Sequence, residues 1–250
     1  TLVSSSAASD VYKRQPVAST AKYELTLPSQ QKTIKYRPFL VKEEKVLLMA
    51  MESGDAKEML SAIKEIVKSC TFGEMIAEEY PMFDIEYVFL QIRSKSVGEK
   101  TKLKILCPDD GKTYAETEID LSKIEVYVDD DHTPNILLDE SRKLGVVMRY
   151  PALKDVNADT LAGDINIQKT YDMITNCIDQ IYEGEQVFLR KDTSEKELKE
   201  FVDGLSADQM KKLSAFYNSM PRLEHKVMVK NPKTEVESEV TLKGLASFFG

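Results

Sequence analysis

The 250-residue sequence predicts an α+β protein, because its apolar residues follow two different periods in separate regions. Residues 21–38 and 225–242 alternate apolar and polar side chains, which is typical of β-hairpins. Residues 39–97 and much of 164–220 carry apolar residues three and four positions apart, as amphipathic helices do. The predicted order is a helical N-terminal bundle after a β-hairpin, a central antiparallel β segment, and a helical C-terminal part ending in a β-hairpin.

The first predicted unit follows an N-terminal tail. Residues 1–20 lack a usable period and a signal-peptide core. Within them SSAASDVYKRQ resembles translated sequencing-adapter sequence, so we expect residues 1 to about 15 to be artefactual or the segment to be an ordinary disordered tail. Residues 21–98 predict a hairpin around Pro28 and then three or four packed helices. The predicted apolar stripes are Leu40, Val41, Leu47, Leu48 and Met51, then Met59, Ile63, Ile66 and Val67, then Ile85, Val88, Phe89 and Ile92.

The remaining chain predicts two further units. Residues 99–151 predict antiparallel strands at TKLKILC, KTYAETEIDL, IEVYV, NILLD and LGVVMRY. Residues 152–250 predict a helix from Asp164 to Gly184, a strand at EQVFLR, helices capped by Thr193 and Ser206, and a terminal hairpin. The same pattern also fits one composite domain.

Composition and charge restrict the classes of partner. Hydrophobic residues make up 42% of the chain, which is enough to bury a core. No apolar run approaches the roughly 18 residues of a membrane span. The net charge of −8 is spread along the chain without a block of Lys and Arg. We therefore expect no membrane and no nucleic acid as partner.

Two hairpins resemble the halves of a zinc ribbon. Residues 107–111, CPDDG, have the form of a zinc knuckle, and residues 112–121 share five of ten positions with residues 233–242. This likeness fits either two copies of one module or the general similarity of hairpins. A structural zinc needs about four soft ligands, whereas these knuckles supply only Cys107. We therefore predict no bound metal, with Cys107 as a remnant ligand and the turn residues defining the hairpins.

Motifs of catalysis are missing from the sequence, which has no G-x-S-x-G elbow, phosphate loop or dinucleotide fingerprint. His132 lies in the acidic segment DDDHTPN and His225 at a strand start, and neither adjoins a nucleophile motif. Cys70, Cys107 and Cys177 are expected to be reduced, small apolar residues. We expect a non-enzymatic protein without cofactor or small-molecule substrate. A hydrolase that uses His132 and the acidic loop is an alternative.

Two groups of residues are candidates for a protein interface. Tyr36, Arg37 and Phe39 form an aromatic and Arg cluster of the kind found in binding hot spots, but packing of the hairpin on the first helix explains them equally well. Phe248 and Phe249 must pack either on their own core or on another subunit, because a terminal segment frays unless it is docked.

The order of elements and several motifs resemble the baseplate hub protein family of T4-type contractile-tailed phages. The motifs are Leu27-Pro28-Ser29, Tyr36-Arg37-Pro38-Phe39, Lys42-Glu43-Glu44-Lys45, the CPxxG hairpin leading to IDLSKIEV, and LKGLASFF at the C-terminus. The resemblance covers about residues 21–250. Members of this family often carry more cysteines in these hairpins than the single Cys107 here.

The resemblance implies a structural or assembly component of the tail baseplate hub that acts through protein–protein interfaces. Its partners would be other baseplate or tail hub proteins. It would lie in the virion tail baseplate, or in the host cytoplasm during assembly. The alternative function, drawn from the hairpins alone, is a degenerate zinc-ribbon-like nucleic-acid or adaptor protein.

Overall fold

A computed structural model describes residues 20–155 and 167–248 as helices packed on small antiparallel sheets. The α-helices are α1 (Val41–Ser53), α2 (Ala56–Cys70), α3 (Met82–Val97), α4 (Ile167–Asn176), α5 (Glu195–Asp203) and α6 (Ala207–Asn218). Short 3₁₀ helices lie at Ala77–Glu79, Leu121–Lys123, Leu153–Asp155, Arg190–Asp192 and Leu245–Phe248. The predicted α+β class is confirmed. The predicted tail, except for Thr20, lies outside the described residues.

The strands form hairpins and one larger meander. They are β1 (Tyr23–Thr26), β2 (Thr33–Tyr36), β3 (Lys100–Leu106), β4 (Tyr114–Asp120), β5 (Val126–Tyr127), β6 (Asn135–Asp139), β7 (Leu144–Met148), β8 (Ile178–Glu183), β9 (Gln186–Leu189), β10 (Arg222–Lys230) and β11 (Glu237–Lys243). Strand β1 pairs with β2, and β3 with β4. Strand β10 lies between β11 and β5, and β6 to β9 pair in chain order. All of these pairings are antiparallel.

The first apolar cluster joins the N-terminal hairpin and α1 to α3 with the C-terminal hairpin. Helix α3 lies at its centre, and the predicted stripe of α3 is fully buried at Ile85, Val88, Phe89 and Ile92. Phe248, near the other end of the chain, is fully buried in the same cluster. Residues distant in sequence therefore close this core together.

The second apolar cluster is built from residues 136–216, which include strands β6 to β8 and helices α4 to α6. Its fully buried members include Val146, Ile178 and Leu213. The two clusters group the chain differently from the predicted units 21–98, 99–151 and 152–250, and that division stays a prediction.

Helix termini follow the expected chemistry in most places. Gly54 ends α1 at φ +66°, a left-handed conformation that glycine adopts readily. Asp55 caps α2, since its carboxylate accepts the Lys57 N–H at 2.7 Å. Ser206 caps α6 as predicted. The cap of α5 is Ser194 rather than the predicted Thr193, because Ser194 forms a reciprocal capping box with Glu197.

The predicted stripe of α1 is wrong. The face that turns inward carries Glu43, Leu47 and Ala50, whereas Val41 and Leu48 point to solvent. The reason is an ion pair, because Glu43 bonds to the largely buried guanidinium of Arg37 beneath the helix at 2.9 Å. A buried charge requires its partner, so this pair fixes the rotation of α1.

The helix predicted from Asp164 to Gly184 is also wrong in its second half. The structure describes it from residue 167, and it ends at Asn176. Residues 178–183 form β8, which pairs with β7 so that Ile181 lies opposite Val146. Ile178 and Ile181 are three positions apart, which fits a helix, and the strand buries both because its register with β7 shifts between Ile178 and Gln180. The turn at Gly184, with φ +60°, returns the chain as β9.

Candidate functional site

The turns of the two ribbon-like hairpins are similar but not identical, because the turn at residues 107–113 is one residue longer than the turn at residues 231–236. Between β3 and β4, the Cys107 N–H donates to the Thr113 carbonyl at 2.8 Å and the Gly111 N–H to the Cys107 carbonyl at 3.0 Å. Between β10 and β11, the Asn231 N–H donates to the Val236 carbonyl and the Glu235 N–H to the Asn231 carbonyl, both at 2.9 Å. The fifth residue of each turn is left-handed, at φ +62° for Gly111 and +61° for Glu235.

The first hairpin contains a related turn that the sequence analysis did not connect with the other two. The Leu27 N–H donates to the Lys32 carbonyl at 2.8 Å, and Gln31 is left-handed at φ +53°. Proline occupies the second position of all three turns, at residues 28, 108 and 232. This shared proline could have predicted the relation of the three turns from the sequence, since it fixes φ where each turn begins.

The sequence repeat is out of register with this structural correspondence. Alignment by identity matches Glu116 with Glu237, whereas the first residue after the turn is Tyr114 in one hairpin and Glu237 in the other. The offset is two residues, which leaves each side chain on the same face of its strand. The repeat therefore reflects the alternation common to hairpins rather than matched positions of one module.

The two turns contact each other through polar side chains. Asn231, which is fully buried, donates through Nδ2 to both carboxylate oxygens of Asp109 at 3.0 Å. Its Oδ1 accepts the N–H groups of Lys233 and Thr234 at 2.8 and 3.3 Å. The Thr234 hydroxyl also donates to Asp109. The buried amide thus has partners for its donor and acceptor atoms, and it joins the turns where ribbon knuckles would share an ion.

The surroundings of these joined turns favour the ionised form of the two aspartates and disfavour the ionised form of the cysteine. Hydrogen bonds from Asn231 and Thr234 lower the pKa of Asp109. Hydrogen bonds from Thr113 hold the pKa of Asp110 far below its usual range. Burial, followed by the charges of both aspartates, raises the pKa of the Cys107 thiol.

These residues do not fit a structural zinc site. The thiolate is the form of cysteine that binds metal, and the surroundings of Cys107 favour the protonated form. Within residues 20–155 and 167–248, no group of three or more His, Cys, Asp and Glu side chains is arranged to hold a metal ion.

The predicted interface residues Tyr36, Arg37 and Phe39 lie in the interior. Tyr36 and Phe39 are 3% and 9% exposed, and Arg37 Nη2 donates to Glu43 at 2.9 Å and to Ser69 at 3.0 Å. Burial acts to raise the pKa of Glu43, but the bonds from Arg37 and Ser69 lower it to about 2. An interface role for these residues stays a prediction, and their burial favours the packing alternative.

Phe248 packs on its own core, which is one of the two alternatives expected from the sequence. Its side chain is fully buried, and its carbonyl accepts a hydrogen bond from Arg93 Nη1 at 3.0 Å. The Leu245 N–H donates to Glu86 at 3.1 Å, which ties the same segment to α3. Phe249 lies outside the described residues.

His132 is held by a small aromatic cluster. Its Nδ1 lies 2.9 Å from the Ser219 hydroxyl and its Nε2 lies 2.9 Å from the Tyr150 hydroxyl. The ring stacks on Tyr150 and packs against Phe216. Burial lowers the pKa of His132. Both ring nitrogens are therefore engaged in joining two segments of the fold, as in a structural histidine.

The protein-family comparison finds one match, over residues 20–250, to the family described as T4 bacteriophage base plate protein. The chain belongs to this family. Neither the comparison with curated proteins nor that with solved structures finds a match. The match supports a structural role in a phage baseplate, with other baseplate proteins as partners. None of the helices in the described ranges is both long and apolar enough to span a bilayer.

This baseplate protein presents an apolar helix face to solvent. Val41, Leu48 and Met49 on α1 are 73%, 56% and 68% exposed. A cavity of about 300 Å³ lies between α1 and α2, with Met49 and Ala50 on one side and Glu58, Ser61 and Glu65 on the other. We name Val41, Leu48 and Met49, with this cavity, the α1 face. Of these three side chains Met49 lines the cavity, and exposed apolar residues that form a patch mark interaction sites.

Proposed function

We propose that this protein is a structural or assembly component of the baseplate hub and acts through protein–protein interfaces alone. The observation that carries the proposal is the α1 face. Helix α1 directs Glu43 inward and Val41, Leu48 and Met49 outward, so these three side chains contribute little to the core of the monomer. Membership in the baseplate family supplies the setting in which another subunit covers them.

A helix from a neighbouring hub subunit would suit the α1 face. The cavity beside Met49 is floored by the small residues Ala50 and Ala62, which allow close approach of a backbone. Exposed Glu58 and Glu65 stand seven residues apart along one side and would meet basic residues at helical spacing. Covering each large apolar side chain contributes about 1.5–3 kcal/mol, and the charged rim would favour one orientation.

The proposal includes the absence of catalysis, of a cofactor and of nucleic-acid binding. Its support is the engagement of both His132 nitrogens in structural hydrogen bonds, the burial of Cys70, Cys107 and Cys177, and a net charge of −8. The joined turns carry three carboxylates, of Asp109, Asp110 and Glu235, against the two cations of Lys112 and Lys233, and this negative balance disfavours the nucleic-acid adaptor.

The decisive experiment removes the apolar groups of α1 without disturbing its fold. Leu48→Gln combined with Met49→Gln keeps good helix formers at two exposed positions, so the circular dichroism spectrum and the melting temperature should stay unchanged. Co-expression with the other proteins of the same tail gene cluster should then yield baseplates that lack this protein. Met228→Gln is the matched control, because Met228 is as exposed as Leu48, at 56%, but lies on β10.

The hub position is tested separately. A tag fused to the protein should appear on the central axis of isolated baseplates in electron micrographs, or on hub intermediates that precede them. Normal incorporation of the Leu48→Gln, Met49→Gln variant would refute the proposed interface. A tag at the baseplate periphery would refute the hub assignment.

A further inference from the structure

The four-stranded sheet has one covered edge and one open edge. At the β6 edge, the Lys212 ammonium on α6 donates to the carbonyls of Leu137 and Leu138 at 2.9 and 3.3 Å. At the other edge, β9 has β8 as its one strand partner within the part of the chain that the structure describes. An unpaired edge is a ready template for another strand, which many proteins cover or charge to prevent unwanted association.

The register of β9 shows which backbone groups are available. Glu183 and Gln186 close a two-residue turn, so the hydrogen-bonded pairs of the ladder are Glu183 with Gln186 and Ile181 with Phe188. The N–H and carbonyl of Val187 therefore point away from β8. Among the described residues, the hydroxyl of Thr193 takes up the Leu189 carbonyl at 2.9 Å, and no partner takes up the backbone of Val187.

A cavity of about 500 Å³ adjoins this edge, between the sheet and α5. Phe188 shares the sheet face of Ile181, which is 8% exposed, yet Phe188 itself is 49% exposed. Phe201 and Leu205 line the opposite side of the cavity. The second apolar cluster is thus open to solvent beside β9, where an inserted side chain would meet aromatic and aliphatic surface.

The rim of this cavity is acidic. Among the described residues that line it, the carboxylates are those of Glu183, Asp192, Glu197 and Glu200, and the cation is Arg142. Arg142 is already paired with Glu183 at 2.8 Å. Glu200 meets Lys196 at 3.6 Å in an exposed pair of the kind that contributes little. A basic ligand therefore gains attraction here and an acidic one meets repulsion.

We propose that the β9 edge and its cavity bind an extended segment of another baseplate protein, one that carries an aromatic or large aliphatic residue flanked by Lys or Arg. The segment pairs with Val187, its apolar side chain lies against Phe188 and Phe201, and its basic groups face Asp192 and Glu200. This mode adds a strand to a sheet edge, so main-chain bonds supply affinity and the cavity supplies selectivity. The inference rests on the proposed function, which supplies the baseplate partner.

The test uses overlapping 15-residue peptides that span the other baseplate proteins of the same tail gene cluster, immobilised and probed with the purified full chain. We expect the bound peptides to combine an apolar anchor with nearby Lys or Arg, and we expect binding to fall as salt rises. Val187→Pro removes the outward N–H at a position where an edge strand tolerates proline, and should weaken binding about tenfold. Val187→Thr is its matched control and should bind within about twofold.

Two further variants keep the test independent of folding. Phe188→Gln removes the aromatic wall at a half-exposed position and should abolish binding. Asp192→Asn with Glu200→Gln should weaken binding several-fold and flatten its salt dependence. Melting temperatures close to that of the unaltered chain establish that each variant is folded.

The inference is overturned if no peptide binds, if bound peptides are acidic, or if Val187→Pro and Phe188→Gln bind normally. Self-association that Val187→Pro abolishes would also overturn it, because a second copy would then occupy the edge. The proposed function fails by a different result, namely incorporation of the Leu48→Gln, Met49→Gln variant into baseplates. That variant should still bind the peptides, so the two failures are distinguishable.

Discussion

The turn at residues 107–113 and the turn at residues 231–236 reach similar shapes with different residues, and the first is one residue longer. The left-handed position holds Gly111 in the first turn and Glu235 in the second. The contact between them joins a carboxylate, Asp109, to an amide, Asn231. The comparison shows that two backbone hydrogen bonds and a proline are sufficient to shape a knuckle-like turn, and that a donor and acceptor pair can join two such turns without an ion.

The largest effect is expected when the hydrogen bonds between Asn231 and Asp109, which join the two turns, are removed. Asn231→Ala removes the buried amide, so the carboxylate of Asp109 loses its amide donor and the N–H groups of Lys233 and Thr234 lose their acceptor. We expect a loss of about 3 kcal/mol in the free energy of unfolding, measured in urea. Asn218→Ala, at an exposed position, should change it by less than about 0.5 kcal/mol. A similarly small change for Asn231→Ala would mean that other contacts join the turns.

The next effect concerns the left-handed residue of the first turn. An alanine Cβ at position 111 would meet no atom within 4 Å, so Gly111→Ala changes only the conformational energy at φ +62°. We expect a loss of about 1 kcal/mol in the same urea titration. An unchanged midpoint would show that the turn can relax to another conformation.

The second turn should respond with the opposite sign. Glu235 already bears the strain of a left-handed side chain at φ +61°, so Glu235→Gly relieves it. The gain should be about 0.5 kcal/mol, since glycine also increases the entropy of the unfolded chain. Thermal unfolding of the single variants and of the Gly111→Ala, Glu235→Gly double variant measures both effects. A loss of stability in Glu235→Gly would show that the left-handed conformation of Glu235 is not strained.

Acid should weaken the contact between the two turns, because it protonates the carboxylates of Asp109 and Asp110. The pKa values of Asp109 and Asp110 are lowered in the folded protein, so their stabilisation is complete above the unfolded pKa and is lost as pH falls. The loss begins below about pH 4, where unfolded aspartates take up protons. Unfolding measured across this range should depend less steeply on pH in Asp109→Asn. An unchanged slope would place the acid sensitivity elsewhere.

Metal should have no measurable effect on either turn. Because Cys107 is the one thiol in the two turns and its pKa is raised, adding zinc or a chelator should leave the melting temperature unchanged. Elemental analysis checks the same point on protein purified without chelator. One zinc per chain, together with a melting temperature that falls on chelation, would restore the metal-held ribbon.

Local sequence patterns predicted much of the secondary structure but few of the contacts between helices and strands. The stripe of α3 and the three hairpins follow from periods that neighbouring residues establish. The rotation of α1 depends on Arg37 pairing with Glu43, and an ion pair inside a core overrides apolar periodicity. Ile178 and Ile181 have the spacing of a helix, and the register shift that lets a strand bury both arises only when β8 pairs with β7.

The candidate sites were harder to predict from the sequence than the fold was. Asp109 and Asn231 are 122 positions apart, and only the folding of both hairpins brings them together. Tyr36 and Phe39 have the composition of a hot spot, but composition does not determine which side faces solvent. Val187 and Phe188 carry no motif, and their significance comes from a sheet edge that is defined by the strands around it.

The way the two apolar clusters divide the chain has a consequence for synthesis on the ribosome. The fully formed second cluster uses residues up to Met220, so we expect it to assemble before the C-terminal hairpin has been synthesised. The other cluster includes Leu27 and Phe248, and it must wait for nearly the full length of the chain. A chain that ends before Phe248 would leave the first apolar cluster incomplete, and its exposed apolar residues would make it a target for proteases before it could join a growing baseplate.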